Sequence, residues 1–406
     1  MSDKIFVKKP LNPIHTKIRL SSSKSESNRA LIINAVSGNK CNLENLSDAR
    51  DTITMQRLLL SGEKTLDVID AGTTMRFLIA LMAAKGENKI LTGTARMCER
   101  PVKILVEALR SLGADIDYLG TEGYPPVEIK SFKSKTDKIQ IKGDVSSQYI
   151  SALLMISPLL PNGLQLELTG KVASRPYIEM TLDLMKHFGV SHTWTDNIIS
   201  ISKQEYKANE YRIESDWSGA SYWYSVVALA EQAEIELIGL KQNSLQGDSA
   251  IVKIMEKLGV TSKFTLDGIL LTKQNSEKEA TIDFADCPDL AQTVVACAAA
   301  KGIKLKITGI ESLKIKETDR ILALQNELKK YNASFNELSD GWYEVIPSTS
   351  IPENIKISTY DDHRMAMAFA PLAFKADIEI EDKHVVNKSY PGYWEDLKRA
   401  GFILTD

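Results

Sequence analysis

Apolar residues fall along this chain in two alternating patterns. The first is apolar nearly all round. It appears as ALIINAV after Arg29, MRFLIALMAA from Met75, YISALLMI from Tyr149, YWYSVVALA from Tyr222, LAQTVVACAAA from Leu290 and RMAMAFAPLAF from Arg364. A helix that is apolar on every face must be buried on every face. The second pattern is amphipathic and closes at a glycine or asparagine, which suits a left-handed helix C-cap. Its copies are ERPVKILVEALRSLGA (Glu99–Ala114), RPYIEMTLDLMKHFGV (Arg175–Val190), GDSAIVKIMEKLGV (Gly247–Val260), KETDRILALQNELKKYNA (Lys316–Ala333) and YPGYWEDLKRAGF (Tyr390–Phe402), with a weaker sixth over Ala49–Gly62.

Successive copies lie about 70 to 76 residues apart, after a shorter first step of roughly 50, and such a fixed period marks a repeat architecture. Short alternating runs between the helices, such as NKILTGTA, DKIQIKG, LQLELTG, AEIELIG, IKLKITG and ADIEIED, read as strands ending in turns. Each unit therefore reads β-α-β-α-β-β, six times over. Six units exceed one core, so three per domain is the economical grouping.

The fold expected is a two-domain α/β inside-out barrel, with buried helices inside and sheets and amphipathic helices around them. The boundary is expected near Tyr211–Ser218, with the N-terminal strand returning to the second half across a hinge. That divides the chain into 1–20 with 216–406, and 21–215. A TIM barrel also alternates strands and helices, but its helices are amphipathic and lie outside.

Composition adds limits. Hydrophobic residues make up 43% and charged residues 25% of the 406, as in a soluble globular protein, and two domains fit that length. The net charge of −3 provides no global basic field for nucleic acid, so any anion site must be built locally. The four cysteines show no CxxC pairing, and the five histidines show no HExxH spacing. No metal and no cofactor are therefore expected. The N-terminus lacks the apolar core of a signal peptide, and no run of about 18 apolar residues offers a membrane span. A cytoplasmic monomer is expected.

The candidate chemistry gathers at helix N-termini. The stretch S-S-S-K-S-E-S-N-R runs into the first buried helix with Lys24, Ser25 and Arg29. Free N–H groups and the positive end of a helix dipole favour a phosphate or carboxylate there. The same design recurs with Asp70, Gly72, Thr73 and Arg76, and with Ser146, Ser147 and Gln148. In the second half it returns with Asp216, Ser218 and Ser221, with Asp289, and with Asp361, Asp362, His363 and Arg364. The amphipathic helices add Arg100, Arg175, Lys316, Glu317 and Arg320, and Lys388 precedes the last of them. K-E-T-D-R, read as helix, places Lys316 and Arg320 four apart on one face. Taken singly, each motif reads equally as helix capping or a solvated charge. Their recurrence at equivalent points suggests one face per domain suited to a multiply anionic ligand.

Ten blocks then carry a resemblance, in order over essentially the whole chain: SKSESNRAL, DAGTTMRF, RMCERP, GDVSSQYISALLM, SRPYIEMT, NSLQGD, CPDLAQT, IKETDR, TYDDHRMAM and NKSYPGY. The sequence resembles the 3-phosphoshikimate 1-carboxyvinyltransferase (EPSP synthase) family of enolpyruvyl transferases. The resemblance implies transfer of the carboxyvinyl group of phosphoenolpyruvate to the 5-hydroxyl of shikimate 3-phosphate, by addition and elimination in an interdomain cleft, without metal or organic cofactor. This is a step of the shikimate pathway to chorismate and the aromatic amino acids.

Carried over by position, shikimate 3-phosphate would meet Lys24, Ser25, Arg29, Ser146, Ser147, Gln148, Ser174, Asp289 and Lys316, with Tyr177 nearby. Phosphoenolpyruvate would meet Lys24, Gly72, Arg100, Gln148, Arg320, Arg364 and Lys388. Asp289 would take the hydroxyl proton, and Glu317, with Lys24 or Lys388, would exchange a proton with the methylene carbon. Two positions depart from the family: Asp70 stands where Asn is usual, and Ser312 replaces an Asn, shortening one substrate contact. A carboxylate at 70 is unfavourable beside a phosphate unless a cation pairs with it or it faces away. Glu26 and Ser27 match no family contact and are expected to tolerate change. Two alternatives stand beside this reading. One is the sister enzyme acting on UDP-N-acetylglucosamine, whose loop cysteine Cys98 does not match in offset. The other is a non-catalytic phosphometabolite-binding repeat protein.

Overall fold

The structure, a computed structural model, describes residues 3–406. Its α-helices are α1 (Lys24–Val36), α2 (Arg50–Leu59), α3 (Gly72–Lys85), α4 (Ala95–Cys98), α5 (Lys103–Leu112), α6 (Ser147–Ile156), α7 (Arg175–His187), α8 (Trp217–Leu229), α9 (Ile251–Lys257), α10 (Ala291–Lys301), α11 (Arg320–Lys329), α12 (His363–Phe369) and α13 (Tyr393–Arg399).

The all-apolar segments are α1, α3, α6, α8, α10 and α12. Every residue of Thr74–Ala83 in α3, of Gly219–Leu229 in α8 and of Ala291–Ala300 in α10 is buried. Full burial of a Leu, Ile or Val side chain is worth about 1.5–3 kcal/mol, so these helices carry most of the packing energy. The amphipathic segments turn one face inward, as α5 does with Leu105, Val106, Leu109 and Leu112. All five end at a residue of positive φ, at Gly113, Gly189, Gly259, Asn332 and Gly401. Side chains rarely adopt that backbone, which explains the recurring glycine or asparagine.

Two amphipathic helices start later than the sequence pattern suggests. α5 begins at Lys103, because Pro101 disfavours helical backbone at Arg100. α11 begins at Arg320, because the Asp319 carboxylate accepts from the N–H groups of Ile321 and Leu322 and caps the helix there. Lys316 and Glu317 therefore lie in the chain ahead of α11 and are not on a helix face with Arg320.

Five four-stranded sheets share one pattern: a parallel pair followed by two antiparallel neighbours. In one, Lys138–Lys142 runs parallel to Leu164–Thr169, which pairs antiparallel with Ile198–Ile201, itself antiparallel to Thr193–Thr195. A sixth, two-stranded sheet joins Asn42–Glu44 in parallel to Glu210–Arg212. The order β-α-β-α-β-β runs through 65–132, 138–201 and 279–346.

By internal contacts the chain falls into two units. One is the chain up to Ser22 with Glu214–Asp406, and the other is Ser23–Ile213. In the first unit, Ile5–Lys8 pairs antiparallel with Asp377–Ile380 and with Ile403–Thr405, in the registers Ile5↔Ile380 and Phe6↔Thr405. Ile14–Arg19 pairs in parallel with Ala233–Ile238. Among the described residues no helix is long and apolar enough to cross a membrane.

Candidate active site

Within Ser23–Ile213, the buried helices present cations at their N-terminal ends. Ser23 caps α1 by accepting from the Glu26 N–H, and the next residue, Lys24, places its Nζ 3.1 Å from Asp51 Oδ2. One turn on, Arg29 is buried. Its guanidinium donates to Thr181 Oγ1 (2.7 Å), the Ser25 carbonyl (2.9 Å) and Ser151 Oγ (3.1 Å), and lies over the rings of Phe77 and Tyr177. Burial lowers its pKa to about 10, which still leaves it charged at neutral pH. Its partners are hydroxyls and carbonyls, so the positive charge is held without being neutralised.

The second cation group surrounds Gly72, the first residue of α3. A β-carbon there would lie 2.6 Å from Arg100 Nη1 and 2.7 Å from Arg76 Nη1. Only glycine lets both guanidinia come this close to the backbone. Arg76 donates to the carbonyls of Gly72 (2.8 Å) and Pro101 (3.2 Å), and Tyr149 donates to the same Pro101 carbonyl. Gln148 Nε2 donates to Thr73 Oγ1 at 3.0 Å, tying the start of α6 to the start of α3. Ser146 caps α6, and Ser147 is buried. Ser174, ahead of α7, holds a left-handed backbone at φ +52 and makes no side-chain cap bond. Such strain in a serine persists only where its surroundings impose it, and it gathers at functional sites.

In the other unit the charges form one connected network. Asp289 lies in the 3₁₀ turn Pro288–Leu290 that opens α10. Its Oδ1 is 2.9 Å from Arg320 Nη1 and 3.6 Å from Lys316 Nζ, and its Oδ2 is 3.1 Å from Arg364 Nη2. Glu317 sits between Arg320 Nη2 (2.9 Å) and the buried Lys388 Nζ (3.6 Å). Arg320 is 2% exposed and also binds Asp362, which is fully buried, through Nε at 2.7 Å. Arg364 donates further to Ser218 Oγ and to the Asp289 carbonyl.

Burial alone would raise the Asp289 pKa, but Arg364, Lys316 and Arg320 outweigh it and hold the carboxyl well below the usual range. Burial would likewise lower the Arg320 pKa, and Asp362, Glu317 and Asp289 hold it above the usual value. Asp248 differs. It accepts a hydrogen bond from Ser218, yet burial and then repulsion from Asp289 push its pKa up to about 6.

The residues singled out from sequence thus gather within each unit. Lys24, Ser25, Arg29, Gly72, Arg100, Gln148, Ser174 and Tyr177 belong to one, and Asp289, Lys316, Glu317, Arg320, Arg364 and Lys388 to the other. Two residues were missed: Asp51, which holds Lys24, and Asp248, which holds Ser218 beside Arg364. Both carboxylates are remote in sequence from the cations they serve, so no local pattern marks them.

Two expectations change. Glu26 is 1% exposed and accepts from the Tyr211 hydroxyl, and Ser27 is fully buried with its Oγ accepting from the Ser47 N–H at 3.0 Å. Both face packed protein, so neither should tolerate change freely. Asp70 pairs with Arg50 at 2.8 Å, which resolves the unfavourable charge ahead of Gly72. Ser312 lies exposed in the 3₁₀ turn Glu311–Ile315.

Comparison with known proteins follows the same lines. The family model described as EPSP synthase (3-phosphoshikimate 1-carboxyvinyltransferase) matches residues 56–397. A Bacteroides fragilis protein named 3-phosphoshikimate 1-carboxyvinyltransferase is 50% identical over 396 residues, covering 96% of each chain. One of the same name from Idiomarina loihiensis is 36% identical, covering 94% of this chain and 95% of its own. The fold is similar to that of an Acinetobacter baumannii EPSP synthase structure, with a TM-score of 0.79 at 21% identity over 99% of this chain and 100% of that one.

Proposed function

The chain belongs to the EPSP synthase (3-phosphoshikimate 1-carboxyvinyltransferase) family, and from that premise we propose how its residues divide the reaction. The enzyme transfers the enolpyruvyl group of phosphoenolpyruvate to shikimate 3-phosphate in the shikimate pathway and releases phosphate. In this proposal Lys24, Ser25, Arg29, Ser146, Ser147, Gln148 and Ser174, with Asp289 and Lys316, take shikimate 3-phosphate. Lys24, Gly72, Arg100, Gln148, Arg320, Arg364 and Lys388 take phosphoenolpyruvate. The six buried helices are read as the inside of an inside-out barrel, and the enzyme as a cytoplasmic monomer.

The observation that carries this reading is the network around Asp289. Three cations hold Asp289 ionised, and two hold Glu317. In that state Asp289 is a weak base. The arriving phosphates and carboxylates draw on the same cations, and each pairing they replace weakens the pull on Asp289 and raises its basicity. Asp289 then removes the proton of the 5-hydroxyl as its oxygen adds to the central carbon of phosphoenolpyruvate. Glu317, joined to Lys388, hands a proton to the methylene carbon and takes it back as phosphate leaves. Arg320 keeps Asp362 as a buried partner throughout, so its position does not depend on substrate.

A coupled assay of phosphate release from phosphoenolpyruvate tests the reading. Release with shikimate 3-phosphate and none with UDP-N-acetylglucosamine is expected. The reverse pattern would assign the sister activity, and no release with either acceptor would leave a binding protein.

A further inference from the structure

We infer that Arg50 is a specificity-determining counter-ion for the anion cradle at the start of α3, neutralising a carboxylate, Asp70, that would otherwise repel phosphoenolpyruvate. The inference rests on the placement of phosphoenolpyruvate at Gly72 and Arg100.

Asp70 lies two residues before Gly72, a separation of at most about 7 Å along the chain. That is within one Debye length at physiological salt, about 8 Å, so its charge is felt at the cradle. Ile69, just before it, holds φ +59, which a β-branched side chain adopts only under constraint. The Thr94 N–H donates to the Ile69 carbonyl at 2.8 Å, and the Ile69 N–H donates to Asp67 Oδ1 at 2.7 Å. The loop therefore fixes Asp70 where it stands. The residues that make the cradle cationic, Arg76 and Arg100, crowd Gly72 at the far end of the same short stretch.

Arg50 reaches Asp70 from the first turn of α2, with Nη2 2.8 Å from Oδ2. The adjacent residue, Asp51, binds Lys24 at 3.1 Å, and its carbonyl accepts from Thr74 Oγ1 at 3.3 Å. One helical turn thus touches two segments assigned to the substrate anions. The Arg50 side chain is 45% exposed and that of Asp70 is 26% exposed, and an exposed pair of this kind adds little to stability. Its consequence is the local field: with Arg50 present, Asp70 is half of a dipole; without it, Asp70 is a lone negative charge beside an anion site.

The test is steady-state kinetics on the full chain with both substrates varied. Arg50→Ala is expected to raise the KM for phosphoenolpyruvate about five- to tenfold, and less at high salt, as Coulomb repulsion at this range implies. The KM for shikimate 3-phosphate and kcat should stay within about twofold, since Arg50 acts only through the charge of Asp70. Arg50→Lys should restore the parent value, and so should Arg50→Ala combined with Asp70→Asn, because there the unpaired charge is gone. A parent-like KM in Arg50→Ala, or a double variant no better than the single one, overturns the inference. Arg100→Ala serves as the control. If it too leaves the KM for phosphoenolpyruvate unchanged, the placement of the substrate is wrong and the role of Arg50 falls with it. If only Arg50→Ala is silent, the counter-ion role falls alone.

Discussion

The two units handle positive charge in opposite ways. In Ser23–Ile213, Arg29 and Arg76 are held mainly by hydroxyls and backbone carbonyls. In the unit containing Glu214–Asp406, Arg320, Arg364, Lys316 and Lys388 are held by carboxylates. A guanidinium fixed by neutral oxygens keeps its full charge for a ligand. One fixed by carboxylates is balanced, and a ligand must compete for it. The first arrangement suits binding, and the second couples ligand charge to the proton affinity of Asp289 and Glu317. Lys24 departs from its unit's pattern by pairing with Asp51.

The contrast breaks most visibly at the acid–base pair. Asp289→Ala or Glu317→Ala should retain substrate binding but lose at least about two decades of turnover, the scale of a general acid or base. Single-turnover rates beside equilibrium titrations would separate the two effects, and near-parent turnover in both variants would remove the proton-handling role of this unit. Arg29 probes the other side. Arg29→Ala leaves Thr181, Ser151 and the Ser25 carbonyl without their buried donor, so unfolding in urea should show a loss of about 2–3 kcal/mol. Arg29→Lys should recover only part of it, because an ammonium lacks the planar fork.

The next effect is a pH dependence. The Asp248 pKa is raised from 3.8 to about 6, so between these values the folded state binds more protons than the unfolded one. Stability from this group is therefore full below the unfolded pKa and falls as pH rises through about 6, by on the order of 2 kcal/mol. Asp248→Asn removes that slope. Melting temperatures should show the variant gaining on the parent from pH 4 to pH 7, and parallel curves would mean that Asp248 does not titrate there. The smallest effect is steric. Gly72→Ala must push aside the Arg100 and Arg76 guanidinia, and a KM for phosphoenolpyruvate raised about fivefold, roughly 1 kcal/mol, is expected. An unchanged KM would show that the cradle can shift without cost.

The sequence by itself determined the helices and their burial. A segment such as MRFLIALMAA has no polar face to show to water, so α3 had to be enclosed whatever packs around it, and the closing Gly113, Gly189 or Asn332 had to turn the chain where a side chain rarely goes. It also marked the cations, because Lys24, Arg29, Arg100 and Arg320 stand in short motifs at helix starts. What it could not determine is which carboxylate meets which cation. Asp51 lies 27 residues from Lys24, Asp362 lies 42 from Arg320, and Arg364 lies 75 from Asp289. Periodicity is a local property of the backbone, whereas charge pairing depends on distances of about 3 Å between side chains. Those distances exist only once the helices are packed. The same limit explains Glu26 and Ser27, polar letters beside a binding motif that the fold turns inward, and Arg50, an unremarkable helix-start arginine until Asp70 is placed against it.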